Sequence, residues 1–170
     1  MICREKTACF TGHREIKENY NVLFLKVYSI VENLIKKGYL YFGSGGARGF
    51  DILASEVVLK LKKKYPNIHL ILVLPFFNQY EKEKGWSREE IYKYKNIKEK
   101  ASKIVYTQKT YSSGCYFKRN RHLVDFSSVC ICYMHKMSGG TAYTVWYAIS
   151  KGLIIINCLN SEYKRFILNA

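Results

Sequence analysis

FGSGGARGFDILASEVVLKL, residues 42–61, decides the fold. Its second half places Phe50, Leu53, Ala54, Val57, Val58 and Leu61 at offsets 0, 3, 4, 7, 8 and 11, the spacing of one apolar face of an α-helix. Lys60 and lysines 62–64 crowd the end of that helix, where cations complement its dipole. Its first half packs four glycines into residues 43–49, directly after YLYFG (39–43), a run that reads as a strand. A strand that passes through a glycine-rich turn into an amphipathic helix is the unit of a parallel α/β sheet. Such a turn lets backbone N–H groups come close to an anion at the helix N-terminus, and Arg48 adds charge there.

The same alternation extends in both directions. Residues 7–11 (TACFT) read as a buried strand, and Leu23, Val27, Ile30, Val31 and Leu34 mark a helix that stops near Gly38. After the central unit come a strand over 68–74, an aperiodic loop over 76–88 placed to fold over a site, and a largely surface-facing helix over 89–101. A strand over 103–107, a turn at 111–114 and a helix from Cys115 to about Phe126 follow. Residues 128–134 form a strand, 141–150 a helix ended by Gly152, and 153–157 a last strand. The expected fold is a doubly wound, mostly parallel Rossmann-like α/β sheet with helices on both faces. We expect one domain over 1–170, its core at 7–157 and a tail at 158–170 that adds a helix or a partner contact.

The whole chain has 170 residues, 48% hydrophobic and 24% charged, the balance of a globular protein and not of a disordered tail. It has no long uncharged apolar stretch and no signal-like N-terminus, so the reading is cytoplasmic, without a membrane partner, and with six reduced cysteines. Cys130 and Cys132 share one strand face and suit buried packing; no metal-ligand spacing accompanies them, and His69 and His135 read as structural or exposed. The formal charge of +15 favours anionic partners.

In doubly wound sheets, ligands bind beyond the carboxyl ends of the strands. Four segments fall there or just beside. Gly12, His13 and Arg14 follow the first strand and pair a tight turn with two cationic donors. Ser44, Gly45, Gly46, Arg48, Gly49 and Asp51 follow the second; Asp51 caps the helix or receives ribose hydroxyls. Ser138, Gly139, Gly140, Thr141 and Thr144 form a second glycine-rich entry to a helix, with hydroxyls beside it. Arg119 and Asn120, on the helix before the fifth strand, either reach the ligand or belong to a solvated basic face.

SGGARGFDILA (44–54), FKRNRHLVDFSSVCICY (117–133) and SGGTAYTVWYAISKGLIIIN (138–157) resemble, in that order, the core of the SLOG superfamily. That superfamily groups DNA-processing proteins of the DprA (Smf) kind with LOG-type cytokinin-activating phosphoribohydrolases. CFTGHR (9–14) and LPFFNQY (74–80), with Trp86 nearby, are similar to its small YpsA/YoqJ-like branch. The resemblance implies a Rossmann-like sheet and a nucleotide pocket at the matching positions Gly12, Ser44, Gly45, Gly46, Arg48, Gly49, Asp51, Arg119, Asn120, Ser138, Gly139, Gly140 and Thr144. LOG enzymes carry a carboxylate soon after their PGG-x-GT motif, whereas Thr141 to Tyr147 contain none; Glu56 and Asp125 are the alternative acids.

The leading expectation is a module that binds a small phosphorylated, nucleotide-derived ligand (ADP-ribose or NAD-like, or a nucleoside phosphate) and requires no cofactor. Its alternatives are an N-glycosidic or phosphoribosyl hydrolase and a DprA-like binder of single-stranded nucleic acid. Trp86, Tyr92 and Tyr94 are the aromatics expected to line a homodimer surface.

Overall fold

A computed structural model of the chain describes residues 3–159. Residues 160–170, most of the expected tail, lie outside the described residues. Six strands alternate with helices: β1 (Thr7–Gly12), α1 (Tyr20–Lys36), β2 (Tyr41–Ser44), α2 (Phe50–Lys62), β3 (His69–Leu74), α3 (Gln79–Lys82), α4 (Arg88–Lys100), β4 (Lys103–Tyr106), α5 (Cys115–Asp125), β5 (Val129–Tyr133), α6 (Gly139–Ser150) and β6 (Ile154–Asn157). A short 3-10 turn, Arg4–Lys6, precedes β1.

All six strands are parallel, in the order β4-β3-β2-β1-β5-β6. The chain therefore winds outward from β1 to β4, crosses back, and continues through β5 and β6 on the other side of β1. Ala8 lies opposite both Phe42 of β2 and Val129 of β5, so β1 is the centre of the sheet.

Strand alternation divides the core in two. Ala8, Phe10, Phe42, Leu70, Leu72 and Ile131 face one side and pack against α1, α2 and α4. Cys9, Ile71, Val73, Cys130 and Cys132 face the other and meet Leu123 and Val124 of α5 and Val145 and Ala148 of α6. Burial on both faces explains why β5 reads as an unbroken apolar run, VCICY, with no exposed position. Cys9, Cys130 and Cys132 are buried free thiols, and burial pushes the Cys132 thiol up, as expected of cysteines used for packing.

Helix boundaries follow local chemistry. The side chain of Asn19 accepts the amides of Asn21 and Val22 and starts α1. Ser87 and Glu90 close a capping box on α4. The segment expected to be a plain loop, 76–88, contains the four-residue helix α3. The last long helix begins at Gly139, two residues earlier than its apolar pattern indicates, so both glycines lie in its first turn. Tyr94 departs from expectation: it is 1% exposed, packed under α4 against Tyr80 and Trp86, while Trp86 is half-buried and Tyr92 alone of the three is exposed. Helical spacing put Tyr94 on the same face as buried Ile97, a signal its neighbouring lysines obscure.

Candidate functional site: a basic cleft at the switch point of the sheet

The winding reverses between β1 and β5, and beyond their carboxyl ends lies a cleft of about 380 Å³. Its walls come from four places in the sequence: the turn after β1, the glycine-rich turn into α2, the first half of α5 and the segment from Lys136 to Thr141. Eleven of the sixteen residues expected at a site line it: Gly12, His13, Arg14, Arg48, Asp51, Arg119, Asn120, Ser138, Gly139, Gly140 and Thr141.

Helix α6 points its N-terminus into this cleft. Ser138 is its N-cap but makes no side-chain cap bond, and the amides of Gly139, Gly140 and Thr141 donate to no group among the described residues. Ser138, Gly139 and Gly140 are exposed, and nothing lies within 4 Å of where a Cβ on either glycine would sit. Free N–H groups at the positive end of a helix dipole attract anions.

The turn before α2 is built differently from expectation. The Gly46 amide donates to Ser44 Oγ (3.3 Å), that of Ala47 to the Asp51 carboxylate (3.2 Å), and that of Phe50 to the His13 carbonyl (3.3 Å). Those three amides are engaged within the protein and are not available to an anion in the cleft. Gly49 is indispensable to the turn: its φ is +77°, and a Cβ there would lie 2.1 Å from the Arg14 carbonyl. Asp51 does not cap the helix end; Gly49 is the N-cap, and one oxygen of the carboxylate reaches back over the turn to the Ala47 amide while the residue lines the cleft.

Arg119 settles the ambiguity of the 117–125 run. It is 4% exposed, so it is not part of a solvated face. One guanidinium nitrogen donates to the Gly45 carbonyl, and Nε donates to Asn120 Oδ1 at 2.7 Å. Burial lowers its pKa, against the pull of Asp51. Burial likewise raises Asp51, to about 6, against the opposing effects of Arg119, the Ala47 amide and Arg14. A buried acid and a buried base thus share the floor of the cleft.

The 76–88 segment braces one rim. Gln79, fully buried, donates from Nε2 to the carbonyls of Gly45 (3.3 Å) and Gly46 (2.6 Å). Glu83 accepts from Arg14 at 3.3 Å and from Trp86 Nε1 at 3.0 Å. The Arg48 guanidinium lies beside Gly85, and its buried Nε has no partner among the described residues.

The remaining five expected residues stand behind the lining. Ser44 bonds the Ser55 hydroxyl and the Asp51 carbonyl; Gly45 and Gly46 present carbonyls to Arg119 and Gln79; Gly49 makes the turn; Thr144 Oγ1 donates to the Gly140 carbonyl at 2.7 Å. Glu56 and Asp125 do not line the cleft: Glu56 accepts from the Tyr20 hydroxyl and Asp125 from that of Tyr147. The carboxylates that do line it are Glu15 and Asp51. Sequence reasoning missed Lys136 and Tyr116. Tyr116 precedes Arg119 by three positions, one helical turn, which was a readable signal; Lys136 sits directly upstream of the 137–141 turn.

Comparison with known proteins agrees with this geometry at the level of fold and family. The YpsA family model, described as the YspA SLOG family, matches residues 9–152. The chain belongs to this SLOG family. It is 30% identical over 136 residues to the uncharacterized SPbeta prophage-derived protein YoqJ of Bacillus subtilis, covering 72% of this chain and 78% of that one. It is also 30% identical over 128 residues to a UPF0398 protein of Brevibacillus brevis, spanning 74% of this chain and 63% of the relative. Among solved structures, DNA processing protein A from Helicobacter pylori, described for its single-stranded DNA binding mode, matches 94% of the chain and 67% of its own length with a TM-score of 0.64 at 20% identity. DNA processing protein A from Streptococcus pneumoniae matches with a TM-score of 0.58 at 18% identity, and the SLOG chain spans 49% of it. Among the described residues no helix is long and apolar enough to cross a membrane, and no group of three or more His, Cys, Asp or Glu side chains could hold a metal ion.

Proposed function

We propose that the cleft binds a small phosphorylated ligand derived from a nucleotide, of ADP-ribose, NAD-like or nucleoside-phosphate type, and that the protein works through it as a sensor or sequestering module. The observation that carries this reading is the meeting of unbonded α6 amides with Arg14, Arg48 and Lys136 around one cleft at the switch point of the sheet. Its volume, about 380 Å³, is within the range of roughly 300 to 1,000 Å³ usual for small-molecule pockets. Titration calorimetry against AMP, NAD and ADP-ribose tests it. We expect saturable binding of at least one, weakened about tenfold or more by Arg48→Ala, the loss of one charge-assisted contact. No heat from any phosphorylated nucleoside contradicts the reading.

The buried acid at the cleft floor favours a second reading, an N-glycosidic or phosphoribosyl hydrolase, because a carboxyl poised near 6 can exchange protons close to neutrality. Incubation with nucleoside monophosphates and NAD, followed by chromatography for free base, separates the two. Base released by the wild type and not by Asp51→Asn supports hydrolysis; its absence from both leaves binding alone. The charge of +15 and the fold shared with a single-stranded DNA binder support nucleic acid as an alternative anionic partner.

A further inference from the structure

His13 stands on the wall of the cleft with the first turn of α6, and His135 packs against its ring. His13 is 8% exposed and lines the cleft with Gly139, Gly140 and Thr141. Its ring centroid is 4.2 Å from that of His135, at 48° between planes. The Nε2 atoms of both rings are buried and have no partner among the described residues. Unpartnered buried polar atoms are uncommon in native proteins, and a pair of them at one site calls for a physical reason.

The pair is held in place by backbone. The His13 amide donates to the Tyr133 carbonyl at 3.1 Å, and its carbonyl accepts from the Phe50 amide at 3.3 Å. Tyr133 packs on His135 at 5.5 Å and stacks on Phe50 at 5.6 Å. The ring of His13 therefore faces the cleft from the end of β1.

The charges that act on His13 are positive, while the carboxylates of Glu15 and Asp51 line the same cleft. His135 and Lys136 face it from the segment after β5, and Lys17 from the turn before α1. Arg14 follows it in the chain, with its guanidinium directed to Glu83. Glu15 is exposed, and the Glu18 carboxylate is engaged by the Tyr133 hydroxyl. Burial first, then His135 and Lys136, lower the His13 pKa below the ordinary value, while the Lys136 backbone opposes them. The surroundings thus favour the uncharged ring, and neither Asp51 nor Glu15 is among the groups that oppose this.

We propose that His13, backed by His135, is a proton-switched phosphate contact: it takes a proton from solvent as the ligand's terminal phosphate arrives, and donates Nε2–H to a phosphate oxygen as an imidazolium. This rests on the reading of the cleft as a phosphate site and deepens it. The arriving anion supplies both the missing acceptor and the missing countercharge, and the neighbouring α6 amides hold its other oxygens. One N–H bond forms on the imidazole as one O–H bond of hydronium breaks, so one proton is taken up from solvent when a ligand binds the neutral ring. Binding is consequently tighter in acid, by up to about tenfold per pH unit over the interval in which free His13 is neutral and bound His13 is charged.

Sulfate is the probe, since it keeps its charge across the histidine range and removes the titration of the ligand itself. NMR of the labelled protein follows the four imidazoles and the Gly139 to Thr141 amides through a pH titration, in sulfate and in chloride at equal ionic strength. We expect sulfate to shift those amides and to raise the His13 midpoint by about one pH unit or more, a tenfold preference for the charged ring, while His69 and His122 stay put. In His13→Gln the amides still shift, but the pH dependence of sulfate affinity falls to the part that Asp51, raised to about 6 in the same cleft, supplies. His135→Gln raises the His13 midpoint in chloride by removing a neighbouring positive charge, and serves if the first variant does not fold. If sulfate moves the amides and leaves the His13 midpoint unchanged, the proton switch is wrong and the cleft reading stands. If it moves neither, the cleft takes no such anion and both readings fail.

Discussion

Asp51 is the residue at which this fold accepts strain. Its carboxyl rises from 3.8 to about 6, chiefly because burial disfavours the charged form. The sign of the linkage follows: a raised acid makes the folded state hold its proton more tightly than the unfolded chain. The stability that this one group contributes is therefore fully present below 3.8 and is lost as pH rises through about 6. Asp51→Asn keeps an acceptor for the Ala47 amide and removes the ionisation. We predict that it stabilises the protein at neutral pH by roughly 3 kcal/mol, on the scale of about 1.4 kcal/mol per unit of displacement. Urea unfolding at neutral pH and again in acid below the carboxylate range checks this. The gain should vanish in acid, and an equal effect at both would mean that the charge is not the cause. Of the cleft lining, Gly12, His13, Arg14 and the 138–141 turn were legible in the sequence, because glycines and basic residues at strand ends are local signals. It could not reveal that Gly45 offers a carbonyl to Arg119, since that contact joins residues 74 positions apart.

Among the elements, the 76–88 segment governs how firmly the cleft is walled. Helix α3 is only four residues long, too short to be stable by itself, and its buried Gln79 anchors it to the turn before α2. Removing that amide leaves two buried carbonyls, of Gly45 and Gly46, without this donor. We predict that Gln79→Ala costs about 2 kcal/mol and speeds hydrogen exchange at residues 45–49 more than in the sheet. Exchange measured by mass spectrometry decides it; uniform acceleration across the chain would show that the anchor is not local. Longer elements were legible because apolar spacing alone specifies them, as in α2 and β5. The short helix was not, for its only determinants are a distant turn and the aromatic packing of Tyr80 on Trp86 and Tyr94.

The molecule as a whole combines a parallel sheet with a strong positive charge. Alternating strands and helices disclosed the doubly wound class, and strand-end glycines pointed to the edge at which the cleft lies. The strand order was beyond reach of periodicity, because nothing local states that β5 lies beside β1. Charge is a global property, and its test is global. If single-stranded nucleic acid is a partner, affinity for an oligonucleotide should fall steeply with salt, by about 0.7 decades per decade of salt for each phosphate contacted. A flat response excludes phosphate tracking and leaves the cleft as the anion site. Exposed aromatics interleaved with lysines, such as Phe77 and Tyr106 beside Lys98, are where such a strand would stack.

The most direct test of the central claim is a crystal structure of the protein grown with ADP-ribose. We predict phosphate density within hydrogen-bonding distance of the Gly139 to Thr141 amides, with the Arg48 side chain turned toward it. An ordered ligand bound elsewhere, or a cleft that stays empty under saturating ligand, would contradict the account.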